Sequence, residues 1–137
     1  MQILLVDDDV PSVEAMKELL EGAGYGVVCA ENGRDALARL RGPDSYCVIL
    51  LDLMMPVMNG YEFREEQLKD PKLAAIPVVV ITADGRAREK AEQIGTERYV
   101  QKPLSPAELL RTIEEYCPAP TEAASTSEAV GTSEPSR

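Results

Sequence analysis

The sequence predicts an α/β protein with one open, doubly wound parallel sheet and helices on both of its faces. Two observations lead to this class: five short runs rich in Val and Ile recur within residues 1–117, and segments of helical periodicity separate them. Strands that alternate with helices in this way are typically joined by right-handed crossovers in a parallel sheet.

The predicted strands are four to six residues long, which is too short for typical helices. They are Ile3–Val6, Tyr25–Ala30, Tyr46–Leu51, Pro77–Thr82 and Arg98–Gln101. At least the first, third and fourth are apolar at consecutive positions, so we expect both faces of these strands to be buried.

Five helices are predicted from apolar residues at helical spacing. Pro11 lies near the start of the first helix and Gly22 marks its end, while Ser105 is a candidate N-cap for the last helix, which begins near Pro106. The second, third and fourth run from Asn32-Gly33 to Gly42-Pro43, from about Tyr61 to Leu68, and from about Arg86 to Ile94.

The charge balance disfavours two classes of partner. With 24 acidic and 14 basic residues, the chain carries a formal net charge of −10, which repels nucleic acid and anionic membrane surfaces. No stretch approaches the roughly 20 apolar residues that span a bilayer, and the first residues lack the basic region of a signal peptide. We therefore expect a cytoplasmic protein that binds neither nucleic acid nor membrane directly.

The cysteines and the missing histidines narrow the chemistry further. Cys29, Cys47 and Cys117 are odd in number and show no C-x-x-C spacing, so we expect three buried, reduced thiols and no disulfide or zinc site. The chain contains no His, which excludes histidine-based metal sites and triads.

The composition changes at Pro118. Residues 118–137 are rich in Pro, Ala, Ser and Thr, are acidic, and include one sizeable apolar side chain, Val130. Such a segment cannot bury enough surface to offset the entropy of ordering it. We predict a domain over residues 1–117 and a disordered tail over residues 118–137.

Polar side chains lie at the carboxyl ends of four predicted strands. They are Asp7, Asp8 and Asp9 after the first strand, Asp52 after the third, Thr82 at the end of the fourth and Lys102 after the fifth. Ligands of doubly wound sheets bind at this edge. Clustered carboxylates repel one another unless a hard cation is present, and oxygen ligands suit Mg²⁺. A carboxylate nucleophile beside a metal, a hydroxyl and an ammonium is equipped for phosphoryl transfer.

Each of these residues also has a simpler interpretation. Asp9 is a candidate N-cap for the first helix, Asp52 could start a turn, Thr82 could be an ordinary strand residue and Lys102 a surface lysine. The placement of all of them at one edge of the predicted sheet favours a site.

Four segments of the sequence carry a resemblance to a known family, and the second is the most specific. They are Leu-Val-Asp-Asp-Asp at 5–9, Asp-Leu-Met-Met-Pro-Val-Met-Asn-Gly at 52–60, Ile-Thr-Ala at 81–83 and Tyr-Val-Gln-Lys-Pro at 99–103. Through them, residues 1–117 resemble the receiver domains of two-component response regulators. The resemblance implies a flavodoxin-like (βα)5 fold with strand order 2-1-3-4-5 and a phosphorylation-dependent signalling switch.

The resemblance also implies the phosphorylation and metal site. Asp52 is the expected phospho-acceptor. Mg²⁺ is the expected cofactor, bound directly by Asp8 and Asp52, through water by Asp7, and by the backbone carbonyl of Met54.

The remaining motif positions receive roles in the same way. Lys102 contacts the phosphoryl group, and the peptide between Lys102 and Pro103 is cis. Thr82 moves to hydrogen-bond a phosphoryl oxygen, and Tyr99 turns inward behind it. Gly60 permits the tight turn into the third helix.

The implied partners are proteins. A sensor histidine kinase or a phosphotransfer protein supplies the phosphoryl group, and a downstream effector binds the face made by the fourth helix, fifth strand and fifth helix. We expect a monomer that is not an enzyme, apart from catalysing its own phosphorylation and dephosphorylation.

Two features depart from the usual pattern of the family. The stretch from Thr82 to Lys102 is a residue or two shorter, and we place the loss in the loop before the fourth helix. Met54 and Asp84 occupy positions that tune the lifetime of the phosphoryl group, and our hypothesis is that apolar Met54 favours a long-lived aspartyl phosphate because it cannot orient an attacking water.

Two alternatives stay open at this point. One is a phosphatase of the haloacid dehalogenase type, whose Asp-x-Asp-x-Thr/Val motif fits residues 7–10; it needs a further acidic pair after Lys102 and leaves Asp52 unexplained. The other is a pseudo-receiver that acts as a phosphorylation-independent interaction module.

Overall fold

The computed structural model describes residues 1–118 except Met54, Pro56, Asp84 and Leu104. Of the predicted tail, residues 119–137 lie outside the described residues, as do the predicted metal-ligand carbonyl of Met54 and the side chain of Asp84.

The described residues form one sheet of five parallel strands, and the predicted fold class and strand order are confirmed. The strands are β1 (Gln2–Val6), β2 (Gly26–Ala30), β3 (Tyr46–Asp52), β4 (Val78–Thr82) and β5 (Arg98–Gln101). Their spatial order is β2-β1-β3-β4-β5. The central strands therefore bring their carboxyl ends together at one edge of the sheet, which positions the site.

Helices connect the strands, and each of the five predicted helices is present. Along the described residues the helices are α1 (Val10–Gly22), α2 (Gly33–Leu40), α3 (Gly60–Lys69), α4 (Pro71–Ala74), α5 (Ala87–Gln93) and α6 (Pro106–Tyr116). Helix α4 was not predicted, because a helix of four residues is too short to show a periodic apolar pattern. The predicted fourth and fifth helices are thus α5 and α6.

Side-chain caps set the starts of the helices where the sequence indicated them. The side chains of Asp9, Asn32 and Ser105 accept hydrogen bonds from backbone amides in the first turns of α1, α2 and α6. A hydrogen bond from the Ser12 hydroxyl also lowers the pKa of the Asp9 carboxyl. Asp9 therefore caps α1, as predicted.

Both faces of the sheet are covered, as predicted from the apolar strands. All seven residues of β3 and all five of β4 are buried. The residues of β1 alternate between two apolar clusters, with Leu4 and Val6 packing on the side of α2 and α3, and Ile3 and Leu5 on the side of α1 and α6. Among the helices of the described residues, none combines the length and the apolar character needed to cross a membrane.

The cysteines contradict the expectation of three reduced thiols. Cys47 and Cys117 form a disulfide, with their Cα atoms 5.3 Å apart. Helices in such a fold run back against the strands, so the end of α6 reaches the amino end of β3, where Cys47 lies. Cys29 is the free thiol, and partial burial raises its pKa.

Candidate functional site

Three carboxylates meet at the carboxyl edge of the sheet. Val6 of β1 pairs with Leu51 of β3, so that Asp7, which follows β1, and Asp52, the last residue of β3, lie on neighbouring strands. One carboxylate oxygen from each of Asp7, Asp8 and Asp52 can be chosen so that all three lie within 4.8 Å of one another. Asp7 and Asp52 are buried, whereas Asp8 is exposed, so the cluster opens to solvent at Asp8.

Lys102, which follows the edge strand β5, also reaches this cluster at the carboxyl edge of the sheet. Its Nζ donates to Oδ2 of Asp7 at 2.9 Å, while the other carboxylate oxygen of Asp7 accepts the backbone N–H of Asp9 at 2.9 Å. The backbone N–H of Lys102 donates to the Thr82 carbonyl at 2.8 Å, which extends the pairing of β4 and β5 and fixes where the lysine starts. The Lys102–Pro103 peptide is cis.

The two predicted switch residues occupy different environments. Thr82 is the last residue of β4 and is buried; the residue before it, Ile81, pairs with Asp52, so Thr82 lies one strand away at the same edge. Tyr99 lies in β5 with 41% of its surface exposed, and it lines a groove between β5 and α6. The structure thus joins Lys102 to the carboxylates, keeps Thr82 at the edge and leaves Tyr99 open to solvent.

The loop after Asp52 is held by close backbone contacts. The N–H of Gly60 donates to the Leu53 carbonyl at 3.0 Å, and the N–H of Gly33 donates to the Met58 carbonyl at 2.8 Å. A Cβ on Gly60 would lie 2.7 Å from Cα of Leu53 and 2.9 Å from the carbonyl oxygen of Asp52. Gly60 is therefore required because the start of α3 packs directly against the backbone of Asp52 and Leu53, at the end of β3.

Val57 in this loop has a backbone conformation that its side chain disfavours. Its φ is 67°, and 69% of its surface is exposed. A β-branched residue in this region carries a penalty of about 1–2 kcal/mol, which exposed side-chain contacts cannot offset.

We expect Val57→Gly to raise the free energy of unfolding by about 0.5–1 kcal/mol, since relief of this penalty exceeds the extra entropy that glycine gives the unfolded chain. Urea unfolding measures the change. Val57→Ala is the control, because it removes the branch and retains the left-handed penalty, and its gain should be smaller. A glycine variant no more stable than wild type would contradict the prediction.

The charge of the cluster fits a hard divalent cation. Three carboxylates and one ammonium leave two negative charges within a few ångströms. All the ligand atoms offered are oxygens, and exposed Asp8 leaves room for water, which suits Mg²⁺ rather than a softer metal. The residues present therefore fit a magnesium ion.

Fold and site together define a class of protein. It is a doubly wound α/β domain with an acidic pocket and a lysine at the carboxyl edge of its sheet. The sequence model described as the response regulator receiver domain matches residues 3–114. The chain therefore belongs to the response regulator receiver domain family.

Individual relatives and solved structures agree with this family assignment. Protein PilH of Pseudomonas aeruginosa is 37% identical over 82% of this chain and 93% of its own length. The chemotaxis protein CheY4 of Vibrio cholerae superposes with a TM-score of 0.76 at 30% identity, over 85% of this chain and 98% of that one. A third match is the receiver domain of the sensor histidine kinase PA1611 of Pseudomonas aeruginosa, which was solved with a magnesium ion in its active site cleft. It superposes with a TM-score of 0.76 at 29% identity, over 84% of this chain and 95% of that one.

Family membership settles several expectations in coarse form. The chain is a receiver domain of two-component signalling, a family of switches rather than classical enzymes, and the family binds Mg²⁺ in its active site. The interpretation as a haloacid dehalogenase phosphatase is therefore wrong. The chain spans about half the length of several other curated relatives, which are transcriptional regulators.

One set of polar residues, whose partners precede β4 and β5 at the amino end of the sheet, was not predicted from the sequence. Arg64 and Gln67 on α3 form a hydrogen-bonded pair that reaches the end of α5. The sequence gives a signal for Gln67 alone, since it lies four residues after Phe63 on the side of α3 where an amphipathic helix normally buries apolar side chains.

Proposed function

We propose that this chain is a phosphorylation-dependent signalling switch that accepts a phosphoryl group on Asp52 with the help of Mg²⁺. One observation carries the proposal: the oxygens of Asp7, Asp8 and Asp52 cluster within 4.8 Å, and Lys102 is bonded to Asp7 in the same pocket. The phosphoryl donor is a sensor histidine kinase or a phosphotransfer protein.

The chemistry needs little more than positioning and charge neutralisation. An Asp52 carboxylate oxygen forms the bond to phosphorus, and the electron pair of the broken bond leaves with the donor. Asp8 and Asp52 would hold Mg²⁺ directly and Asp7 would hold it through water, while the further proposed ligand, the carbonyl of Met54, lies outside the described residues. The ion would supply positive charge that orients and neutralises the phosphoryl oxygens.

Lys102 has a partner in each state of this switch. Without a phosphoryl group its ammonium neutralises buried Asp7. With Asp52 phosphorylated, the same ammonium contacts a phosphoryl oxygen as a charge-assisted donor. Because the side chain is 18% exposed and its backbone is fixed by Thr82, a short movement of its end is enough to reach the new partner.

The output follows from a shift between two conformations. The Thr82 hydroxyl binds the phosphoryl group, Tyr99 turns inward from its exposed position, and the surface of α5, β5 and α6 changes. An effector protein reads that surface. The chain acts as a monomer and performs no chemistry beyond its own phosphorylation and dephosphorylation.

Intact-mass measurement after incubation with acetyl phosphate tests the proposal. We expect the wild type to gain the mass of one phosphoryl group with Mg²⁺ and none with EDTA, and Asp52→Asn to gain none. The matched control is Asp44→Asn, an exposed carboxylate before β3 at the opposite edge of the sheet, which should behave as wild type. A wild type without adduct under any condition would contradict the proposal and support the pseudo-receiver.

A further inference from the structure

Arg64, in the middle of α3, binds the C-terminal end of α5. Its Nε donates to the carbonyl of Ile94 at 2.8 Å, and one terminal nitrogen donates to the carbonyl of Gly95 at 3.3 Å. The last carbonyls of a helix lack partners within the helix and carry the negative end of its dipole, so a cation is favoured there. Arg64 therefore caps α5 from another helix.

The guanidinium is held in place by a buried amide. The remaining terminal nitrogen of Arg64 donates to Oε1 of Gln67 at 2.8 Å. Gln67 has no exposed surface, and its Nε2 donates to the carbonyls of Leu73 and Ile76, which link α4 to β4. Within the described residues no carboxylate forms an ion pair with Arg64, and partial burial lowers the pKa of its guanidinium. Its charge thus serves backbone carbonyls.

The end of α5 has a second anchor. The Thr96 hydroxyl donates to the carbonyl of Val78 at the start of β4 at 2.6 Å, and the Thr96 N–H donates back to the carbonyl of Ala91 at 3.0 Å. Gly95, the residue before Thr96, has a φ of +80°, the left-handed conformation that commonly ends a helix. Residues 94–96 are therefore tied to both α3 and β4.

The body of α5 makes weaker packing contacts. Ala87 and Ala91 are its buried residues, and each buries a single methyl group, whereas α6 buries Leu109 and Ile113. Because hydrophobic stabilisation scales with buried apolar area, displacing the start of α5 costs much less than displacing α6. Ala87, the first residue of α5, follows Thr82 by five residues. A movement of Thr82 therefore displaces this end of α5 first.

We propose that Arg64 and Gln67 clamp the C-terminal end of α5 to α3, so that phosphorylation turns α5 about this fixed end and moves its N-terminal end most. The inference rests on the proposed function and adds the geometry of its switching step. Arg64 and Gln67 are positioning residues that do not touch the phosphoryl group.

Amide hydrogen exchange without any phosphoryl group tests the clamp alone. We expect Arg64→Met, which keeps the aliphatic stem and removes the donors, to speed exchange of the Ile94, Gly95 and Thr96 amides by about tenfold. Arg111→Met on α6 is the control for loss of an exposed arginine and should leave those amides unchanged. Arg64→Lys retains a cation, so its exchange rates at these amides should lie between those of the wild type and those of Arg64→Met. Unchanged exchange in Arg64→Met overturns the clamp.

NMR amide shifts with Mg²⁺ and beryllium fluoride, a mimic of the phosphoryl group, test the pivot. In the wild type we expect large changes over residues 87–90 and small ones over 93–96; in Arg64→Met the changes should extend through 93–96. Equal changes along α5 in the wild type overturn the pivot without any variant. Shifts that fail to change even beside Asp52 contradict the proposed function, and exchange in the free protein still decides the clamp.

Discussion

Replacing Lys102 by methionine is expected to lower the rate at which acetyl phosphate phosphorylates Asp52 by about 100- to 1000-fold, the usual effect of removing one donor that stabilises developing charge. The ammonium nitrogen is 2.9 Å from an oxygen of buried Asp7. In the proposed reaction the end of the Lys102 side chain moves from Asp7 to the oxygens of the phosphoryl group. Methionine matches the length of the stem and removes the charge.

The same substitution should strengthen Mg²⁺ binding. Lys102 is paired with buried Asp7 in the carboxylate cluster, so its loss removes a positive charge from the pocket. A divalent cation is attracted more strongly to such a pocket. The two effects have opposite signs, which separates a specific role of the ammonium from general damage to the site.

Intact-mass time courses measure the phosphorylation rate, and isothermal titration calorimetry measures Mg²⁺ affinity. Lys72→Met, an exposed lysine on α4, is the matched control and should change neither quantity. A Lys102→Met variant phosphorylated at the wild-type rate would show that the ammonium does not act on the phosphoryl group. Weaker Mg²⁺ binding would show instead that Lys102 keeps the pocket in shape.

The fold could be predicted because each level of the sequence gives the same answer. The buried strands β3 and β4 are continuous apolar runs, and the helix starts are marked by Asp9, Asn32 and Ser105. The carboxylate cluster could be predicted because parallel strands bring residues that follow them to one edge. Asp7 and Asp52 met there since β1 and β3 are neighbours.

Features that depend on contacts between distant elements could not be read from local patterns. The bond from Arg64 to the carbonyl of Ile94 joins residues 30 apart, and neither residue type indicates a backbone partner in sequence. The partners of buried Gln67 could not be predicted for the same reason, because its two acceptors are the carbonyls of Leu73 in α4 and of Ile76 just after it, and α4 is too short to predict. Their meaning appears once α3 and α5 are placed side by side.

The disulfide is a different kind of failure, since topology could have found it. Cys47 is the second residue of β3, and Cys117 follows a helix that runs back against the strands, so both belong at the amino edge of the sheet. The odd number of cysteines argued against pairing, but only because all three were treated as equivalent. Cys29, near the end of β2, belongs to the opposite edge.

Breaking this disulfide should lower the free energy of unfolding by about 4 kcal/mol. The bridge links residues separated by 70 positions, and a closed loop of that size restricts the unfolded chain by this amount in the chain-entropy description. The wild type should therefore lose stability when dithiothreitol is added, whereas Cys117→Ala should start lower and be insensitive to the reductant. Urea unfolding with and without dithiothreitol measures both.

The third cysteine provides the control. Cys29→Ala removes a half-buried thiol outside the disulfide, so its unfolding free energy should fall by less than about 1 kcal/mol and should keep the sensitivity to dithiothreitol. Alkylation of the denatured wild type without reductant should modify Cys29 alone. Modification of all three cysteines would contradict the pairing, and the end of α6 would then be held to the sheet by packing of Ile113 and its neighbours alone.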